Sequence, residues 1–230
     1  MRFDTILFEL EGVLAETSAL RQETLRDALA AEGLSLGHGA LADCCAGLPP
    51  RAAAAAAARH AGVRLDDTAL DLVALRAGRR FAELSARGLS LVPGARDLVA
   101  RLAPHARLGV VTRAARADAE RVLAMADLEY VVELLVTDDD VVAPKPDPAP
   151  YQLALRRLAR RRPVDLDAVL ALEDGAAGIE SATAAGLTCV AVGALPAHQA
   201  MRAAGVLPSL DGVTVEALLQ AAGGTARGVR

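Results

Sequence analysis

Five short apolar runs limit what this chain can fold into. Thr5–Phe8, Leu108–Val111, Val131–Val136, Ala168–Leu172 and Thr188–Val192 are each closed off by polar, Gly or Pro residues. Continuous apolar runs of this length fit strands buried on both faces, the habit of a parallel sheet. Helical patterns separate the later ones, at Gly94–Leu102, Arg116–Ala126, Ala149–Ala159 and Gly178–Ala185. Strand–helix alternation implies right-handed crossovers and an α/β fold built on a doubly wound, Rossmann-like parallel sheet.

The gap between the first two runs breaks this rhythm. From Thr17 to Gly88 the pattern is helix after helix, with Ser18–Glu32 and Pro50–Ala61 as the clearest cases. The second carries seven consecutive alanines, Ala52–Ala58, which read as helix because Ala is the best helix former. Such an insertion is too long for a crossover and predicts an α-helical cap domain. The expected organisation is a core at 1–16 and 89–222, a cap at 17–88, and a Gly-rich tail at 223–230 that frays.

Composition narrows the class. Hydrophobic residues make up 53% and aromatics only 2%, so Ala, Leu and Val must pack the core. The formal net charge of −4 argues against nucleic acid, which recruits a basic face. The basic run from Arg156 to Arg162 fits a helix C-terminus, where cations suit the dipole. Cys44, Cys45 and Cys189 are not a disulfide framework and predict free thiols in a reducing, cytoplasmic setting. Cys44 and Cys45, with no base nearby in sequence, read as buried structural thiols. No signal peptide or membrane span is expected. His38, His60, His105 and His198 have no metal-ligand spacing and read as surface or loop residues.

In open α/β sheets, ligands bind beyond the carboxyl ends of the strands. The first run leads into Glu9-Leu10-Glu11-Gly12-Val13, where alternation puts Glu9 and Glu11 on one side. The second ends at Thr112, followed by Arg113. The third leads to Asp138–Asp140, read as a solvated loop, and then to Lys145 between two prolines. The fourth ends in Glu173-Asp174-Gly175. Each residue alone fits a cap, a helix start or a solvated loop. Together they set four carboxylates, a hydroxyl and a lysine at successive strand ends, a set suited to Mg²⁺ and a phosphoryl group.

Four segments carry a resemblance. Phe8-Glu9-Leu10-Glu11-Gly12-Val13-Leu14, Val110-Val111-Thr112, Lys145-Pro146-Asp147-Pro148 and Leu172-Glu173-Asp174-Gly175-Ala176-Ala177-Gly178-Ile179 resemble, in order, the four motifs of the haloacid dehalogenase-like hydrolase superfamily. The helical-cap subgroup, which includes β-phosphoglucomutase-like and phosphoglycolate phosphatase-like members, fits best. The resemblance implies a phosphohydrolase of small phosphorylated metabolites. In this reading Glu9 is the nucleophile and Glu11 the general acid and base. Thr112, Arg113, Lys145 and Arg51 bind substrate, and Glu9, Glu11, Glu173 and Asp174 hold Mg²⁺. The expected partners are a phosphorylated metabolite and, at most, a second copy of the chain, with no nucleic acid and no membrane.

Two departures stand out. Glu9 and Glu11 occupy positions where the family has aspartate, and Glu16 also stands where aspartate is common. Arg21 lies near a position where mutase-like members carry histidine. An added methylene at a nucleophile predicts impaired turnover, since about 1 Å of misplacement costs about a hundredfold. The alternative is a catalytically silent homologue that binds a phospho-ligand or a protein.

Overall fold

The computed structural model describes residues 2–45 and 48–223; Gly47 and residues 224–230, the bulk of the expected tail, fall outside that range. The chain divides into two compact units, Met1–Glu16 with Ser90–Arg230, and Thr17–Leu89.

The first unit is a six-stranded, wholly parallel sheet. In chain order its elements are β1 (Thr5–Phe8), β2 (Ala15–Glu16), β3 (Ser90–Leu91), α5 (Ala95–Leu102), β4 (Arg107–Val111), α6 (Arg116–Met125) and β5 (Val132–Val136). There follow α7 (Ala149–Ala159), β6 (Val169–Glu173), α8 (Ala176–Ala184), β7 (Thr188–Val192), α9 (Ala197–Ala200), β8 (Gly205–Leu207) and α10 (Val215–Ala221). The strand order is β5-β4-β1-β6-β7-β8. β1 therefore lies at the middle, with β4 on one side and β6 on the other, and its register pairs Phe8 with Val110 and with Leu172. Those pairings bring the residues just past Phe8, Val111 and Glu173 to the same end of the sheet.

Every β1 residue is buried, and β4 and β6 are buried from Leu108 to Val111 and from Val169 to Glu173. That explains why these strands read as unbroken apolar runs. β8 was not anticipated: at three residues it is too short to stand out from a loop. Nor was the antiparallel ribbon of β2 and β3, two residues each, which pairs Ala15 with Leu91 where the chain leaves and re-enters this unit.

The second unit consists of α1 (Ser18–Ala30), α2 (His38–Cys45), α3 (Pro50–His60) and α4 (Asp67–Ser85). The alanine run packs inward: Ala53, Ala54, Ala56, Ala57 and Ala58 are buried with Leu25, Leu29, Leu41, Leu70 and Val73. Asp66 caps α4 by accepting from the Ala69 amide at 2.8 Å.

The acidic run Asp138–Asp140 is not the solvated loop that its composition suggests. It forms a single 3₁₀ turn after β5. Asp140 accepts from Arg116 at 2.6 Å, from Arg157 at 2.8 Å and from the Thr137 amide at 2.9 Å, tying the end of β5 to α6 and α7. Burial works against its charge, but these bonds outweigh burial and hold the carboxyl down to about 2. A depressed carboxyl stabilises the fold above its unfolded pKa, and that contribution fades as pH falls through the folded value. Asp140→Asn should lower stability by about 2 kcal/mol at pH 7. In urea titrations the gap should close between about pH 4 and pH 2, and a gap independent of pH would contradict this role.

Candidate active site

A buried lysine organises the strand ends. Lys145 lies in the loop after β5, 3% exposed. Its ammonium donates to Glu9 Oε2 at 2.6 Å, to Glu173 Oε1 at 2.6 Å and to the Val111 carbonyl at 2.7 Å. The three acceptors come from the ends of β1, β6 and β4. An ammonium has three protons, so these bonds occupy all of them. Burial disfavours the charge, but Glu173 and Glu9 overcome it and hold Lys145 protonated far above the ordinary lysine range.

Glu9 and Glu173 are both buried, at 5% and 1% exposure. Glu9 Oε1 accepts from the Leu10 amide at 2.7 Å, so both its oxygens are engaged. Glu173 Oε1 also accepts from the Tyr151 hydroxyl at 2.5 Å. Burial raises the Glu173 carboxyl, Lys145 opposes the rise and the charge of Glu9 adds to it, leaving it at about 7. The two partners of one ion pair thus both shift upward. The upward shift of Lys145 is the firmer, because two carboxylates act on one ammonium. Tyr151, on α7, gave no sign in the sequence of belonging here: a lone aromatic at helical spacing reads as core.

Two glycines make room for the acidic residues. A Cβ on Gly178 would lie 1.9 Å from Glu173 Oε2, and one on Gly12 would lie 2.0 Å from Asp174 Oδ2. Gly12 also has a φ of 75°, which an L side chain rarely adopts. The chain turns tightly after Glu11, and Asp174 rests against that turn. Asp174 stands exposed at the rim. Desolvation by the surrounding chain, followed by the like charges of Glu9 and Glu173, pushes its carboxyl up to about 8. Because the side chain also reaches solvent, the repulsion is the firmer cause.

The other expected residues divide. Thr112 is buried at the end of β4, and its oxygen accepts from the Ala114 amide at 3.2 Å. That bond leaves the hydroxyl proton to donate. Glu11 is half-buried two residues past Glu9. Arg113 is near enough to Asp138 to act on its charge. Arg51 belongs to the helical unit, where Asp67 and Asp71 each hold its guanidinium at 2.6 Å. This exposed pairing gives Arg51 a local structural role between α3 and α4. Arg21 lies over the Phe81 ring, 4.0 Å from its centroid, in that same unit.

Asp138, a solvated loop residue by composition alone, lies within the field of this centre. Its Oδ1 is buried with no hydrogen-bond partner among the described residues. Burial pushes its carboxyl up to about 6, against the pull of Arg113 and Lys145 and helped by Glu9. It belongs electrostatically to the strand-end centre.

Among the described residues, no three His, Cys, Asp or Glu side chains stand close enough to form a ready-made cation cage. The donor chemistry nevertheless suits Mg²⁺, a hard ion that takes one or two carboxylates and keeps several waters. The crowding that raises Asp174 is the kind of repulsion a cation relieves.

Residues 6–192 match the family model for haloacid dehalogenase-like hydrolases. The chain is 29% identical to Protein CbbY of Rhodobacter capsulatus, over 83% of this chain and 85% of that protein. It is 28% identical to the validoxylamine A 7'-phosphate phosphatase of Streptomyces hygroscopicus subsp. limoneus, over 89% and 92% respectively. The crystal structure of CbbY from Rhodobacter sphaeroides in complex with phosphate superimposes with a TM-score of 0.76 at 25% identity, covering 91% of this chain and 96% of that one. A β-phosphoglucomutase from Clostridium difficile shares the fold, with a TM-score of 0.82 at 15% identity over 96% and 97%. Among the described residues, no helix is long and apolar enough to cross a membrane.

Removing the ammonium should expose the cost of this centre. Lys145→Met leaves Glu9 and Glu173 buried without their counter-charge and should cost about 3–5 kcal/mol at pH 7. Glu173, already raised to about 7 by burial, would lose the ammonium that opposes the rise, so the deficit should shrink as pH falls. Urea unfolding at pH 5 and pH 7 checks this, and a variant as stable as the parent at pH 7 would contradict it.

Proposed function

Because the chain belongs to the haloacid dehalogenase-like hydrolase family, we propose that its strand-end centre hydrolyses phosphate monoesters of small metabolites. The observation that carries this reading is the buried Glu9–Lys145–Glu173 triad at the carboxyl ends of β1 and β6, tied to β4 through the Val111 carbonyl next to buried Thr112. The chain's similarity to CbbY and to a validoxylamine phosphate phosphatase supports the same chemistry. The domain assignment carries over as part of the proposal: a sheet core with an inserted helical cap.

In this mechanism a Glu9 oxygen attacks phosphorus and forms an acyl phosphate. Glu11 gives its proton to the departing alkoxide. Glu11 then takes a proton from water, whose oxygen attacks phosphorus, releasing phosphate and restoring the Glu9 carboxylate. Thr112 donates its free proton to a phosphoryl oxygen, and Arg113 and Lys145 offset the phosphoryl charge. Asp174, Glu9 and Glu11, with Glu173 behind them, are the residues that would hold Mg²⁺. When bound, that ion supplies charge neutralisation and helps align the phosphoryl group.

The glutamates slow this chemistry. All three Lys145 protons are spent, one of them on Glu9, so a phosphoryl oxygen must displace Glu9 before Lys145 can hold it. That saturation disfavours turnover and so fits the second reading, a catalytically silent homologue that serves as a phospho-ligand or protein-binding module.

Shortening both side chains separates the readings. Glu9→Asp combined with Glu11→Asp should raise kcat/KM on an aryl phosphate at saturating Mg²⁺ by tenfold or more, which needs only about 1.4 kcal/mol of barrier. A chelator should abolish the activity. A folded double variant that stays at background across a broad panel of phosphate monoesters would leave the silent binder as the account.

A further inference from the structure

Glu9 and Glu173 hold Lys145 at the same distance, but the two carboxylates are not themselves held alike. Among the described residues, Glu9 Oε2 has Lys145 as its one donor, at 2.6 Å. Glu173 Oε1 accepts from Lys145 at 2.6 Å and from the Tyr151 hydroxyl at 2.5 Å. Donors from two elements, the loop after β5 and α7, meet on one oxygen and leave the side chain little freedom to turn. On the other side α8 closes against it, since a Cβ on Gly178 would lie 1.9 Å from Glu173 Oε2.

Tyr151 acts on Lys145 in two ways. Its ring centroid lies 5.2 Å from the ammonium, within range of a cation–π contact. Its hydroxyl reaches the same ammonium through Glu173. Tyr151 is wholly buried. Burial, then the charge of Glu173, pushes its phenol well above the ordinary range, so it stays a protonated donor. The stretch of chain between Lys145 and Tyr151 is also pinned. Ser181 on α8 donates to the Asp147 carbonyl at 2.6 Å, and Asp147 Oδ1 accepts from the Ala149 amide at 2.8 Å. Lys145 and Tyr151 thus meet the end of β6 as one fixed piece.

We propose that Tyr151 is a positioning residue for phosphate recognition: it fixes Glu173, so that Lys145 stays in place when a phosphoryl oxygen displaces Glu9 from the ammonium. This role rests on the phosphohydrolase reading of the centre and deepens it with a residue that acts through another. Glu173 and the Val111 carbonyl are then the two anchors that hold the ammonium while its third proton changes partner. Without the hydroxyl, Glu173 keeps Lys145 as its donor and moves with it. An anchor that follows its load no longer sets the position of the ammonium, and recognition of a phosphoryl group depends on that position.

Tyr151→Phe isolates the hydroxyl, because the ring and its contact with Lys145 remain. Calorimetric titrations of Mg²⁺ alone, and of inorganic phosphate at saturating Mg²⁺, compare the parent chain, Glu9→Asp, and each of these with Tyr151→Phe added. Phosphate affinity should fall about tenfold on loss of the hydroxyl, the scale of one hydrogen bond to a charged group. Mg²⁺ affinity should not change, whereas a loosened core would weaken both ligands together. A second readout keeps the hydroxyl in place and so holds even where Tyr151→Phe fails to fold. The chain has no Trp and two Tyr, and Tyr130 is 89% exposed, so Tyr130→Phe makes Tyr151 the one strong emitter. A phenol that donates to a carboxylate emits weakly, and phosphate should shift that emission over the concentrations at which it binds. Equal phosphate affinity with and without the hydroxyl, a parallel loss of Mg²⁺ affinity, or emission that ignores bound phosphate would overturn the role of Tyr151 and leave the phosphate reading standing. Phosphate binding by neither the parent nor Glu9→Asp would overturn both.

Discussion

An ammonium buried at the meeting point of three strand ends governs the rest of this unit. Taking Lys145 out of water is costly unless its charge and all three protons are matched. The match comes from segments far apart in sequence: Glu9 after β1, the Val111 carbonyl at the end of β4, and Glu173 at the end of β6. Their convergence requires the β4-β1-β6 order, with β1 central and the strands parallel and in register. Tyr151 and Gly178 then complete the setting of Glu173, one by donating a hydrogen bond and the other by leaving space. The same geometry leaves an excess of carboxylates, whose repulsion adds to the burial that raises Asp174 and Asp138.

The glutamates at positions 9 and 11 take on meaning against that centre. An extra methylene extends the reach of a carboxylate by roughly 1.3–1.5 Å. At position 9 that reach places Oε2 on Lys145 while Oε1 caps the Leu10 amide. The carboxylate thus fills, from within the chain, a place that suits a phosphoryl oxygen. Charge and hydrogen-bonding character are kept, so the fold is satisfied.

Much of this was legible in the sequence because each strand is a closed apolar run and ligand-binding residues in such sheets follow the strands. Glu9, Thr112, Lys145 and Glu173 could be placed at one end on that ground alone. What could not be read depends on tertiary partners. Asp140 looks like a solvated charge until Arg116 and Arg157 are seen to converge on it. Tyr151 looks like core until its hydroxyl finds Glu173. The pairing of Arg51 with Asp67 and Asp71 of α4 likewise leaves no trace in the sequence. β8 was missed because three residues carry too little pattern to separate strand from loop.

The central claim is that Glu9 occupies Lys145 in place of a phosphoryl group. Its most direct test is a calorimetric titration of inorganic phosphate, at saturating Mg²⁺, into the parent chain and into Glu9→Asp. A shorter carboxylate releases a Lys145 proton, so the account predicts at least tenfold tighter phosphate binding by Glu9→Asp, about 1.4 kcal/mol. Equal affinities in two equally folded chains would contradict it.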